Sequence, residues 1–238
     1  MKKRLVITGL PCPAETWENF LGREMDQRII SMSEVLAHTQ GADPRELSRY
    51  VTAQIELEQP SSIVCHGMGV PLTLLALMRL KRKGVVLDTK LTIFNGAFRR
   101  VRLSKARQPF RMQFTPVTRM VRDVERHGGQ VDPELLPYVP RIRALFRLLI
   151  LHRLAEKMTA MVGLDFLDAF PKKAGLKMPV QIIASPNDPY LPFETMEKLR
   201  DDLQPERFLQ IDYGHFPYSQ PGSQISELVR GFETRASV

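Results

Sequence analysis

Short apolar, β-branched runs recur along the chain at residues 4–8, 28–32, 61–65, 91–94, 180–184 and 207–211. Runs of this length and composition read as buried strands. Between them the apolar positions fall at helical spacing. Residues 15–24 suit a short helix. Asp43 and Pro44 supply an N-cap and a first-turn proline for a helix carrying Leu47, Tyr50, Val51, Ile55 and Leu57. Residues 71–80 form an apolar helix that ends at Lys81-Arg82-Lys83-Gly84, where basic residues and a glycine suit a C-terminus. Further helices are expected near 193–203 and 224–232. Strand alternating with helix predicts an α/β protein with a predominantly parallel, doubly wound sheet.

From residue 97 to 177 the strand signal disappears. Helical periodicity takes over, broken at Pro109, Pro116, Gly128-Gly129, Asp132-Pro133, Pro137 and Pro140. This divides the chain into a core, 1–97 and 178–238, and an inserted helical cap, 98–177, expected over the C-terminal ends of the strands. Ligands sit at those ends in open α/β sheets. The charge supports the division. The cap holds 17 lysines and arginines against 7 acidic residues, out of 34 and 26 in the whole chain, so the excess positive charge belongs to it. Arg99, Arg100, Arg102, Arg107 and Arg111 crowd its start. Arginine's planar fork matches carboxylate and phosphate, so these residues read as an anion-binding cap for a partner such as an acidic acyl carrier protein. The competing reading is a solvated helical face. No nucleic-acid-binding module accompanies the charge, which ranks nucleic acid last.

Other classes are set aside on the same footing. Cys12 and Cys65 make neither a disulfide framework nor a zinc-ligand pattern, and His38, His127 and His152 lack ligand spacing, so no metal is expected. Neither a G-x-G-x-x-G fingerprint nor a phosphate-binding loop occurs, so no cofactor is expected. The apolar stretch 145–154 is interrupted by Arg147 and Arg153, which argues against a transmembrane segment. The apolar run after Met1-Lys2-Lys3-Arg4 is too short for a secretory leader and reads as the first strand; a cytoplasmic location is the default expectation.

Three loops at strand ends carry the candidate chemistry. Residues 9–17 follow the first strand, Asp188 follows the fifth and His215 follows the sixth. After the third strand, Cys65-His66-Gly67-Met68-Gly69 has the form of a strand–turn–helix elbow, in which Gly69 keeps a small residue near the helix start. On these residues the chain resembles the α/β-hydrolase fold superfamily, in its compact form with a helical cap. That family places a nucleophile at the elbow apex of G-x-S-x-G, then an acid, then a histidine, in this chain order. The resemblance implies that Gly67 occupies the nucleophile position, Asp188 the acid position and His215 the base position. It further implies an oxyanion hole built from the backbone N–H groups of Met68 and Leu10, since Pro11 has none. Glycine has no atom with which to attack.

Nearby residues offer few substitutes for the nucleophile. Cys12, in the loop after the first strand, is expected at the pocket mouth and is the alternative nucleophile, against a reading as a semi-buried residue between prolines. Cys65 should point into the core, Ser61 and Ser62 begin their strand at the wrong end, and Ser185 packs or caps. His66 reads as structural and Trp17 as core. The sequence therefore supports a protein that acts on or binds an acyl or carbonyl ligand through an Asp188–His215 dyad and an oxyanion hole, without the usual serine. The alternatives are a non-catalytic binding protein for an anionic acyl carrier or membrane partner, and a serine hydrolase in which serine has been exchanged for glycine.

Overall fold

The computed structural model describes residues 2–40, 44–96, 116–144, 176–219 and 224–235. Among these, the strands β1 (Lys3–Ile7), β2 (Asp26–Ile30), β3 (Ser62–His66), β4 (Lys90–Phe94), β5 (Val180–Ala184) and β6 (Arg207–Gln210) form one sheet, in the order β2-β1-β3-β4-β5-β6. Every neighbouring pair is parallel. The helices are α1 (Ala14–Leu21), α2 (Met32–Ala37), α3 (Pro44–Glu58), α4 (Gly69–Arg82), α5 (Val117–Arg126), α6 (Phe193–Leu203) and α7 (Gln224–Thr234).

The parallel sheet explains why the central strands β1, β3, β4 and β5 read as apolar runs, because both their faces are covered, whereas the edge strands β2 and β6 keep polar, half-exposed residues. Side chains alternate between two cores. Leu5, Ile7, Ile63, Cys65, Ile93 and Ile182 face a core completed by α3, α4 and α6. Val6, Val64, Phe94 and Ile183 face a second core with Trp17 and Leu21 of α1 and Ile225 and Val229 of α7. The helix α2 was absent from the sequence expectation. Its six residues are too few for periodicity to register, and β2 ends two residues before the end of the expected strand, ahead of the Ser31 that caps α2.

At the foot of the second core, Arg4 is fully buried and forms a double hydrogen bond with Glu233 of α7, at 2.7 and 2.6 Å. Ser62 of β3 donates to the same carboxylate at 2.8 Å. One ion pair thus ties the first strand, a central strand and the last helix together. The outer edge at β2 is blunted by its own side chain: Arg28 donates to the Ile29 carbonyl at 2.6 Å and is held by Glu34.

Of the expected cap, residues 116–144, 176 and 177 are described; Arg99, Arg100, Arg102, Arg107 and Arg111 lie outside the described residues. Residues 132 and 141 of this span bond to the core. Asp132 N–H donates to the Pro11 carbonyl at 2.8 Å, Ser33 donates to the Asp132 carboxylate, and Arg141 donates to the Leu36 carbonyl at 2.5 Å. No helix among the described residues is long and apolar enough to cross a membrane.

Candidate active site

The elbow arises because β3 ends on a residue that must reverse the chain at once. Gly67 has φ of +53°, the left-handed region, and α4 begins at Gly69. Its N–H donates to the Asn95 carbonyl at 2.9 Å, and Val70 N–H donates to the Gly67 carbonyl at 3.2 Å. Gly69 is demanded by close approach: a Cβ there would lie 2.3 Å from the Ile7 carbonyl oxygen. The loop after β1 presses equally hard, since a Cβ on Gly9 would meet the His66 oxygen at 2.7 Å and the Met68 nitrogen at 3.0 Å. Leu10 therefore follows directly on the contact with Met68. Neither the Leu10 nor the Met68 N–H has a protein hydrogen-bond partner among the described residues.

Above this elbow stands His215. A Cβ on Gly67 would sit 3.8 Å from His215 Nε2, with 3.5 Å to the Gly9 Cα as its closest contact. His215 Nδ1 donates to Asp188 Oδ2 at 2.7 Å. The second carboxylate oxygen accepts from the N–H groups of Tyr190 and Leu191 at 2.7 and 3.0 Å. With Nδ1 committed as a donor, the lone pair of His215 is on Nε2, directed at the apex. Both side chains are largely shielded, 8% and 1% exposed.

His66, fully buried behind the apex, has its ring 4.7 Å from that of His215. Its Nε2 donates to the His215 carbonyl at 2.9 Å, because a carbonyl can only accept. Burial first, and then the neighbouring His215, push its pKa well below the ordinary 6.5, against the smaller opposing effect of the hydrogen bond to the His215 carbonyl. The unfolded chain therefore binds a proton near pH 6.5 that the folded chain refuses. Stability is fully present above about pH 6.5 and falls as the medium becomes more acid, with a slope of up to about 1.4 kcal/mol per pH unit from this one residue. Urea unfolding followed from pH 7.5 downward should show it, and His66→Gln should flatten the slope by that amount. An unchanged slope would mean that His66 is charged in the fold.

Cys12 does not face the pocket mouth. It is fully buried, accepts a hydrogen bond from the Tyr218 hydroxyl at 3.2 Å and approaches His66 Nδ1 at 3.9 Å. Burial pushes its thiol up to about 12, outweighing the hydrogen bond from Tyr218. A thiol in that state is no nucleophile at neutral pH. The place of Cys12 in the loop after the first strand suggests the pocket mouth, but Trp17 and Tyr218 close over it in the second core, so the buried reading between the two prolines is the one the structure bears out. Cys65 is buried on the other face and is likewise pushed up to about 12 by burial.

Sequence reasoning missed Asn95, the residue after β4, which is fully buried and bonded to both functional loops. It also missed Tyr190. Its ring packs edge-on against His215 at 4.9 Å, and its hydroxyl donates to the Asp123 carboxylate of α5 at 3.3 Å. An asparagine or tyrosine outside any motif gives no local signal of such a role. A groove of about 700 Å³ lies apart from the elbow, against the β2 edge; Arg28 and Glu34 in its lining pair with each other, and Glu18 and Glu134 also line it.

Solved structures give the comparison that bears on this arrangement. An epoxide hydrolase from Bacillus megaterium, in complex with an inhibitor, superposes with a TM-score of 0.68 at 15% identity, covering 99% of this chain and 94% of that one. The chain has the α/β-hydrolase fold. A thioesterase from the prodiginine pathway of Streptomyces coelicolor, RedJ, gives a TM-score of 0.62 at 16% identity over 98% and 89% of the two chains. A thermophilic esterase from Thermogutta terrifontis gives 0.57 at 15% identity over 98% and 89%. No family model matches the sequence, and no curated protein matches it. Likeness at such identities establishes the α/β-hydrolase fold and leaves the chemistry to be argued from the residues themselves.

Proposed function

We propose that this α/β-hydrolase-fold protein acts on an acyl or carbonyl group without a covalent enzyme intermediate. His215 serves as general base on a water molecule or a substrate hydroxyl placed above Gly67. The observation that carries this reading is the free Nε2 of His215, 3.8 Å from the Cβ position of a residue that has no Cβ, while Nδ1 is held by Asp188. The water oxygen bonds to the carbonyl carbon as its proton passes to Nε2, and the C=O electron pair moves onto oxygen. The Leu10 and Met68 N–H groups are the donors available to that oxyanion. Collapse then re-forms C=O and expels the leaving group, which takes the proton from Nε2. Asp188 orients the ring and stabilises the imidazolium throughout.

General-base catalysis of this kind contributes roughly 10²–10⁴-fold. The unmodified protein should hydrolyse p-nitrophenyl acyl esters slowly, without a burst and without labelling by a fluorophosphonate. His215→Ala should remove about 10²-fold or more of that turnover. Absence of turnover across acyl chain lengths, or a rate indifferent to His215→Ala, would sink the reading. A second reading, favoured by the missing side chain at Gly67, is a binding protein for a small acyl ligand. In that case ligand retention would survive His215→Ala, with no turnover in either form.

A further inference from the structure

We infer that Asn95 is the positioning residue of this site, one buried amide that sets the elbow, the acid loop and the histidine loop at their working separation. The inference rests on the dyad reading above. Asn95 follows the last residue of β4 and is fully buried. Its carboxamide oxygen accepts from Ser185 N–H at 2.9 Å, three residues before Asp188. Its Nδ2 donates to the Gly214 carbonyl at 2.9 Å, immediately before His215. Its backbone carbonyl accepts from the Gly67 N–H, also at 2.9 Å. Three loops from three different strands thus meet on one residue.

The other bonds among these loops join them in pairs. Ile211 N–H donates to the Ala184 carbonyl at 2.9 Å and Tyr213 N–H to Ser185 Oγ at 3.3 Å, which links the acid loop to the histidine loop. His66 Nε2 links the elbow strand to the His215 carbonyl. Asn95 alone among the described residues bonds to all three. The chemistry requires a carboxamide. An aspartate would set a second oxygen against the Gly214 carbonyl, and an aliphatic side chain would leave the Ser185 N–H and that carbonyl unpaired in a buried place. Gly214, at φ of +68° and with open space around its Cβ position, offers no side-chain packing to fix its loop, so its carbonyl bond to Asn95 carries that task. A displacement of about 1 Å between base and reacting atom is enough to cost roughly 10²-fold in rate.

The test reads the Nδ1 proton of His215 by NMR, a signature that does not need turnover. In the unmodified protein the imidazole–carboxylate bond should give a far-downfield resonance in slow exchange with water. Asn95→Ala, which removes both side-chain bonds, and Asn95→Asp, which removes only the donor to Gly214, should each move that resonance upfield. Its exchange with water should quicken by about tenfold or more, while the β1 amides stay protected. In a Gly67→Ser background the same changes should lower kcat by roughly 10–100-fold and leave KM within about threefold. An unchanged resonance and exchange rate in either folded variant overturns the inference. If neither variant folds, amide exchange in the unmodified chain decides: Gly67 and Ser185 must be protected as well as Leu5, and faster exchange there overturns it. Should the protein turn over no ester, the proposed function falls while this reading of the resonance stands.

Discussion

Gly67→Ser is expected to make the protein reactive toward a fluorophosphonate and to raise ester turnover by about 10²–10⁴-fold, in a manner abolished by His215→Ala. The physical grounds are geometric. A Cβ at residue 67 meets nothing outside its chain neighbours closer than 3.5 Å, so the space above the apex accepts it. Its oxygen would lie one C–O bond beyond a point 3.8 Å from His215 Nε2, within reach of a hydrogen bond. The cost is conformational: an L-residue in the left-handed region loses about 1–2 kcal/mol relative to glycine. Melting temperature should fall slightly while chemistry appears, which separates this variant from a merely stabilised one. The same change at Gly69 has the opposite prospect, because its Cβ would collide with the Ile7 carbonyl at 2.3 Å. A serine at 67 that remained unlabelled by fluorophosphonate would mean that the base does not reach the apex in solution.

Glu233→Ala should cost about 3–5 kcal/mol of folding stability. Arg4 and Glu233 are 0% and 2% exposed, so deleting the carboxylate strands a guanidinium in the core. Gln27, which accepts from Arg4 at 3.1 Å, is an uncharged partner and cannot neutralise it. The asymmetry between breaking and replacing the pair makes the prediction specific. Arg4→Met combined with Glu233→Leu should recover most of the loss, because apolar packing of similar volume avoids the desolvation of two charges. Chemical denaturation of the single and double variants checks this. Equal destabilisation of the two would show that packing around Ser62 and α7, rather than charge, dominates.

Much of this molecule is legible in one dimension. The central strands β1, β3, β4 and β5 appear as apolar runs because a parallel sheet covered on both faces leaves no polar side to alternate. The helices α3, α4, α6 and α7 announce themselves through periodicity and capping residues. The order of elbow, Asp188 and His215, each at a strand end, points to Asp188 and His215 as neighbours, and the fold brings them to 2.7 Å. Chain order could do so because parallel strands deliver all their C-terminal loops to one edge.

The rest depended on neighbours distant in the chain. Cys12 and the elbow are separated by some fifty residues, and only the seating of Trp17 and Tyr218 turned an apparent mouth residue into a buried thiol. Asn95 has no motif of its own; its importance is created by Ser185 and Gly214, about ninety and a hundred and twenty residues later. The Arg4–Glu233 pair joins the two ends of the chain. Local propensity and periodicity determine which segments become strands and helices, since those depend on adjacent residues. Burial, tautomer and hydrogen-bond partner are decided by the register of packed strands, which no local pattern encodes.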